Sequence, residues 1–184
     1  MAILGIKVPH EVTRAFTSIE VPGEKIQSAE FHITLIHFGS KVPIDTITEA
    51  IVAAYEVASK TVPFSLSVSE VSCFPKGEDG VPIITRVESP ELHKLWGDLC
   101  AGLDKAGVDY SKKFPEFSPH ITLSYSTDPI EPFPLGPMEW SVYEMVLWCG
   151  DQGDERISVH LPFSLPGKQA LFRNLIQAIT RFPP

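Results

Sequence analysis

The tetrapeptide His-Ile-Thr-Leu occurs twice in this chain, at residues 32–35 and again at 120–123, a separation of 88 positions (120 − 32). Both copies sit in short runs rich in β-branched residues, which predicts a strand for each. Side chains alternate faces along a strand. His32 and Thr34 therefore share one face, and Ile33 and Leu35 share the other. The same alternation sets His120 and Thr122 against Ile121 and Leu123. Each strand has an apolar face suited to a core and a second face bearing an imidazole beside a hydroxyl. A lone His-x-Thr in an apolar run is usually just a strand with a polar neighbour. Two copies laid side by side about a pseudo-two-fold axis would bring two histidines and two threonines to one cleft.

The second copy is preceded by Phe117-Ser118-Pro119, giving Phe-x-Pro-His-x-Thr. A pair of His-x-Thr motifs of this kind resembles the two-histidine (2H) phosphoesterase superfamily, to which the 2′-5′ RNA ligase-like proteins and cyclic-nucleotide phosphodiesterases belong. The resemblance extends over residues 1–163. It implies a two-lobed, duplicated 2H phosphoesterase fold with antiparallel sheets around a central cleft. It implies His32, Thr34, His120 and Thr122 as the catalytic set of a metal-independent phosphodiesterase. The implied substrates are small nucleotides carrying a 2′,3′-cyclic phosphate, a 2′-5′ linkage or a cyclic oligonucleotide ring. That range includes the bacteriophage anti-CBASS nucleases, which destroy cyclic-nucleotide immune signals. Hydrolysis is expected ahead of RNA ligation. The alternative is a protein of the same fold that sequesters nucleotides without cleaving them; it would be favoured by a missing His or Thr, and all four are present.

The chemistry suits the residue types. A neutral imidazole takes a proton from the attacking hydroxyl or water, and a protonated one gives a proton to the leaving oxygen. Histidine serves both roles because its ordinary pKa is about 6.5. Threonine hydroxyls donate to the non-bridging phosphate oxygens. The sequence leaves open which histidine is the acid. A metal site is the main rival. His32 and His37 are five apart and face opposite ways on a regular strand, and neither His-x-His nor Glu-x-x-His occurs, so no metal and no cofactor are expected. No Gly-x-Ser-x-Gly elbow marks a serine hydrolase.

The net charge is −8. Long nucleic acid is disfavoured as a partner, because neutralising many phosphates takes a basic surface. A small anion needs only a local positive pocket. No apolar run approaches the ~20 residues that span a bilayer, and Met1 to Val8 reads as a first strand rather than a signal peptide. No membrane partner is expected and the default location is cytoplasmic. Cys73, Cys100 and Cys149 are isolated and read as reduced thiols.

In order, strands are expected at 2–8, 31–38, 63–69, 81–87 and 120–126. Helices are expected at 9–19, at 43–60 with Ile44, Ile47, Ile51, Tyr55 and Ala58 on its buried face, and at 90–107. The last has Ser89 as N-cap, Pro90 in its first turn, Gly107 as its stop and Leu92, Leu95, Trp96, Leu99 and Leu103 as its stripe. A connector holding Pro129, Pro132, Pro134 and Pro137 follows the second motif. Residues 140–148 and 156–163 read as a hairpin. Strand, motif strand, helix and paired strands thus recur, which indicates a duplicated, two-lobed α+β fold over residues 1–163. Residues 164–184 read as a helical tail with Leu171, Phe172, Leu175, Ile176 and Ile179 on one face, either docked on the body or used for self-association.

Substrate contacts are drawn from the loop before the second motif (Tyr110, Lys112, Lys113), and from Tyr125 and Trp148. Tyr125 is odd-spaced from His120 and faces away from it on a regular strand; an irregularity near the strand end would reverse that. Phe31, Phe38 and Trp148 are candidates to stack a base or to join the core. His160 is a further candidate for the cleft. His10 and His93 read as solvated, and His37 as structural.

Overall fold

The computed structural model describes residues 1–113, 116–150 and 157–164. The chain runs β1 (Ala2–Lys7), α1 (His10–Thr17), β2 (Glu24–Lys25), a 3₁₀ turn, β3 (His32–Gly39), α2 (Ile44–Ala58), β4 (Phe64–Cys73), β5 (Val81–Arg86), α3 (Pro90–Ala106), β6 (His120–Ser126), β7 (Phe133–Val142), β8 (Glu144–Cys149) and β9 (Ile157–Pro162). Both His-Ile-Thr-Leu copies open strands, β3 and β6. One sheet has the order β3-β1-β8-β9 and the other β2-β6-β5-β4-β7. Every pairing within them is antiparallel.

The fold is α+β and two-lobed. In each lobe a strand, a helix and then a motif strand follow one another, as β1-α1-β3 and β5-α3-β6. The motif strand then pairs with the strand that preceded the helix. Ile33, Leu35, Ile121 and Leu123 all enter one hydrophobic core shared by the lobes, with Leu4, Ile6, Ala54, Leu95, Leu99 and Met145. Ile3, Ile84 and Val146 are equally buried but lie outside that cluster. They belong to the opposite sheet faces, the ones that carry the motif histidines and threonines.

Helix α3 begins and ends where its sequence signals place it. The Leu92 N–H donates to Ser89 Oγ at 3.2 Å, Pro90 occupies the first turn, and Gly107 takes the left-handed conformation (φ 71°) that closes the last turn. Leu92, Leu95, Leu99 and Leu103 are buried. Helix α2 departs from its expected face. Ile47, Ala50, Ala53, Ala54 and Ala58 are buried, whereas Ile44 is 75% exposed and Ile51 and Tyr55 are only half-buried. The cause is close packing of α2 on α3. A Cβ built on Gly102 would lie 3.4 Å from Val57 and 3.9 Å from the Ala53 carbonyl oxygen. Small residues let the two backbones approach, so the alanine stripe turns inward and the larger side chains move to the flank.

The proline-rich stretch is also different from expectation. Pro134 and Pro137 lie inside β7, not in a connector. β7 pairs only with β4 and is the edge of its sheet, where a residue lacking an N–H costs no ladder bond on the open side. Residues 140–148 are not one strand. Tyr143 separates β7, in the five-stranded sheet, from β8, in the four-stranded one. The hairpin is β8 with β9, from Glu144 opposite Pro162 to Cys149 opposite Ile157. Residues 165–184, on which the expected tail helix and its self-association rest, fall outside the described residues. No helix among the described residues is long and apolar enough to cross a membrane.

Candidate active site

On β5, Arg86, Ile84 and Pro82 alternate onto one face. They pair with His120, Thr122 and Tyr125 of β6. On β1, Lys7, Gly5 and Ile3 alternate likewise and pair with His32, Thr34 and His37 of β3. Directly paired residues project from the same face of a sheet, so each lobe presents a ladder of three cross-strand pairs on one surface. The spacing from Thr to the third member is three residues, not two, because each motif strand carries a bulge. Ile36 opposes Leu4 and Thr34 opposes Gly5, which leaves Leu35 as the extra residue. Ser124 opposes Ile83 and Thr122 opposes Ile84, which leaves Leu123 as the extra one. A bulge inverts the facing of everything beyond it. His37 therefore shares a face with His32, contrary to the regular-strand expectation used against a metal site. Tyr125 shares a face with His120, also contrary to its odd spacing.

The two imidazoles are held in the same way. His32 Nδ1 lies 2.6 Å from the Glu30 carbonyl oxygen and His120 Nδ1 lies 2.8 Å from that of Ser118. A carbonyl only accepts, so Nδ1–H is the donor in both rings and Nε2 is the basic nitrogen of the neutral form. The preceding residues match as well. The Val8 N–H donates to the Phe31 carbonyl at 3.2 Å, and the Val87 N–H donates to the Pro119 carbonyl at 3.0 Å.

Each ring has an aromatic neighbour. Trp148 lies 5.6 Å from His32, tilted by 59°. Gly5 makes that approach feasible, because a Cβ there would stand 3.1 Å from the indole and 2.4 Å from the Ile33 carbonyl oxygen. Phe74 meets His120 edge-on at 4.7 Å. The Arg86 guanidinium sits 5.5 Å from the centre of the same Phe74 ring and donates from Nη1 to Ser118 Oγ at 3.4 Å.

β3 and β6 run close to one another, and the two histidines sense each other's charge. Burial holds His120 below its ordinary pKa of 6.5, and the positive charges of His32 and Arg86 push the same way. The Ser118 carbonyl, which favours the protonated ring, opposes them.

The family-model comparison matches residues 22–154, well over half of the chain, to the 2′-5′ RNA ligase superfamily. The chain belongs to the 2′-5′ RNA ligase superfamily. No curated protein sequence matches it. Among solved structures, TT0787 of Thermus thermophilus is similar over 91% of this chain and 98% of its own, with a TM-score of 0.71 and 22% identity. E. coli LigT complexed with NADP+ is similar over 89% of this chain and 97% of its own, with a TM-score of 0.67 and 16% identity. LigT complexed with 3′-AMP gives 87% and 94%, 0.63 and 18%. At these identities the structures establish a shared 2′-5′ RNA ligase-like fold.

Within this superfamily member the remaining expected contacts divide into two groups. Tyr125 borders a cavity of about 670 Å³ beyond the end of the motif strand, together with Glu24, Lys76, Asp79 and Thr127. The histidines do not line that cavity. Burial raises the Tyr125 pKa, and Asp79 adds to the effect. Tyr110 and Lys112 instead engage α3. Burial raises the Tyr110 pKa, and the neighbouring Cys100 and Asp104 push the same way. Lys112 pairs with Asp104 at 3.1 Å and lies 5.0 Å from the Tyr110 ring. The loop they share is tied to the first motif strand by the Ser111 N–H, which donates to the His37 carbonyl at 2.8 Å. The Lys113 N–H bonds Ser111 Oγ at 3.4 Å in the same loop. His160 pairs with Glu144 at 2.9 Å on the hairpin. Phe31 is buried in the core. Among the described residues no three His, Cys, Asp or Glu side chains come together to hold a metal.

The sequence reading missed Gly5, Lys7, Phe74 and Arg86. Lys7 and Arg86 each immediately precede the Val whose N–H anchors a motif strand, but only pairing reveals what they oppose.

Proposed function

We propose that this protein is a metal-independent phosphodiesterase of small nucleotides, acting by two-histidine acid–base catalysis. The observation that carries the reading is the pair of matched ladders, each with an Nδ1-anchored histidine followed by a threonine on one face. His120 is the general base, because its depressed pKa keeps Nε2 unprotonated near neutral pH. His32 is the general acid. Water attacks phosphorus, its proton passes to His120 Nε2, one P–O ester bond breaks, and His32 Nε2–H protonates the departing oxygen. Thr34 and Thr122 donate to the non-bridging oxygens and hold the phosphorus in line. Tyr125 and Trp148 offer aromatic faces to a base. Supporting a small substrate is the −8 net charge, which disfavours long nucleic acid.

The test is a turnover screen on 2′,3′-cyclic nucleotides, 2′-5′-linked dinucleotides and cyclic oligonucleotides, with and without chelator. Cleavage of at least one class is expected, unchanged by chelator and reduced by ~10²–10⁴-fold in His32→Ala and His120→Ala. Loss of activity in chelator that added metal restores would sink the metal-free mechanism. Tight binding of a cyclic nucleotide with no cleavage by the wild type would replace the enzyme reading with sequestration.

A further inference from the structure

We propose that Lys7 and Arg86 form a two-armed cationic clamp, one arm beside each histidine, that grips the reacting phosphate. The proposal rests on the phosphodiesterase reading and names two phosphate-binding residues for it. Lys7 is the last residue of β1 and pairs with His32; Arg86 is the last residue of β5 and pairs with His120. Each therefore stands on the histidine face of its sheet, with Cβ atoms about 5 Å from those of its histidine. The next residue in each case, Val8 or Val87, donates its N–H to the residue before the histidine. Lys7 and Arg86 are thus equivalent under the internal pseudo-symmetry. Both are exposed, in a chain with 15 Lys and Arg against 23 Asp and Glu. A cation at both equivalent positions is not what the overall charge would supply.

The arms differ in kind. Arg86 is braced, its guanidinium over the Phe74 ring and its Nη1 on Ser118 Oγ. Its planar fork is pre-organised for two phosphate oxygens. Lys7 offers a compact point charge on a four-carbon stem. A phosphodiester carries one negative charge, and the five-coordinate species formed by addition carries two. Two cations are complementary to the second more than to the first, which is the condition for accelerating a reaction instead of merely binding its substrate. The groups facing His120 are Arg86 from β5, His32 from β3, the Phe74 ring and the Ser118 carbonyl. Among those facing His32 are Lys7 from β1, His120 from β6, Trp148 from β8 and the Glu30 carbonyl. Glu144 lines the same hollow as Lys7, and its Oε1 is paired with His160.

The experiment uses Lys7→Met and Arg86→Met, which keep the apolar stems, with Lys7→Gln and Arg86→Lys as second variants, all checked for folding by thermal melting. Inorganic phosphate binding is measured by calorimetry, and kcat and KM are measured on whichever nucleotide the wild type cleaves. Each Met variant is expected to weaken phosphate binding and to lower kcat/KM by about 10²-fold, mostly in kcat. Arg86→Met is also expected to move the acid limb of the pH profile upward, because a positive neighbour of His120 is gone. Arg86→Lys should leave that limb near its wild-type position. Met variants with wild-type phosphate affinity, kcat/KM and pH profile would overturn the clamp while leaving the two-histidine reading intact. A wild type that binds phosphate, loses it in the Met variants and cleaves no nucleotide would uphold the clamp and reject the enzyme.

Discussion

At the scale of single residues, His120 and Gly5 carry the sharpest consequences. The folded pKa of His120 lies below its unfolded value of about 6.5. Below that pH the unfolded chain binds more protons than the folded one, so stability must fall as pH drops from about 6.5 through the folded value. Melting temperatures taken between pH 8 and pH 5 should show this decline, and His120→Gln should flatten its upper part. With His120 as the general base proposed above, the same lowered pKa should place the acid limb of kcat/KM below pH 6.5, read from a pH–rate profile. Gly5 makes a different prediction. Its missing Cβ is what lets the indole of Trp148 lie beside His32. Gly5→Ala forces a methyl group against the Ile33 carbonyl and the indole, and should destabilise by about 1–3 kcal/mol in chemical denaturation. Intrinsic fluorescence should report a displaced Trp148.

At the scale of elements, the two bulges matter most. Each adds a leucine to the strand, at Leu35 and Leu123, and so returns the third side chain to the histidine face. Deleting Leu123 would restore a regular pairing with Tyr125 still opposite Pro82 and now four residues from His120, so Tyr125, His120 and Thr122 keep their common face and the loss falls on the core, where Leu123 is buried. The expected result is a lower denaturation midpoint, from the lost core side chain, with the KM for a nucleotide little changed. β5 offers a stability test. Thr85 is wholly buried, pairs with Ile121 on the core side, and its hydroxyl has no hydrogen-bond partner among the described residues. Thr85→Val removes that uncompensated burial at nearly constant shape and should stabilise by about 1 kcal/mol, read as an increase in the denaturation midpoint. In α3, Ser89→Ala removes the bond to the Leu92 N–H and should cost about 1 kcal/mol.

At the scale of the whole molecule, the lobes share one core but contribute one histidine each. In the proposed two-histidine mechanism acid and base act in one step, so losing either halts it and losing the second adds little. The His32→Ala, His120→Ala double variant should therefore be about as slow as either single variant, not slower by the product of the two effects. Multiplicative losses in single-turnover assays would mean that the two rings serve separate steps. Both variants should melt close to wild type, because the rings lie on the cleft side of their sheets while Ile33, Leu35, Ile121 and Leu123 hold the core side.

By itself the sequence determined that His32 with Thr34, and His120 with Thr122, lie on one face of their strands. Alternation over two residues is local backbone geometry and needs no partner. It also determined α3, from Ser89 to Gly107, because caps and a leucine stripe act within one helix. The facing of His37 and Tyr125 was decided only by pairing, since a bulge is defined by the neighbouring strand and leaves no mark in a five-residue spacing. The split at Tyr143, and the strand around Pro134 and Pro137, depend likewise on which sheet each segment joins and on the open edge it finds there. The alanine face of α2 was set by how closely α3 approaches. Lys7, Arg86, Phe74 and Gly5 carry no signal in the sequence, and cross-strand register and ring packing alone set them around the histidines.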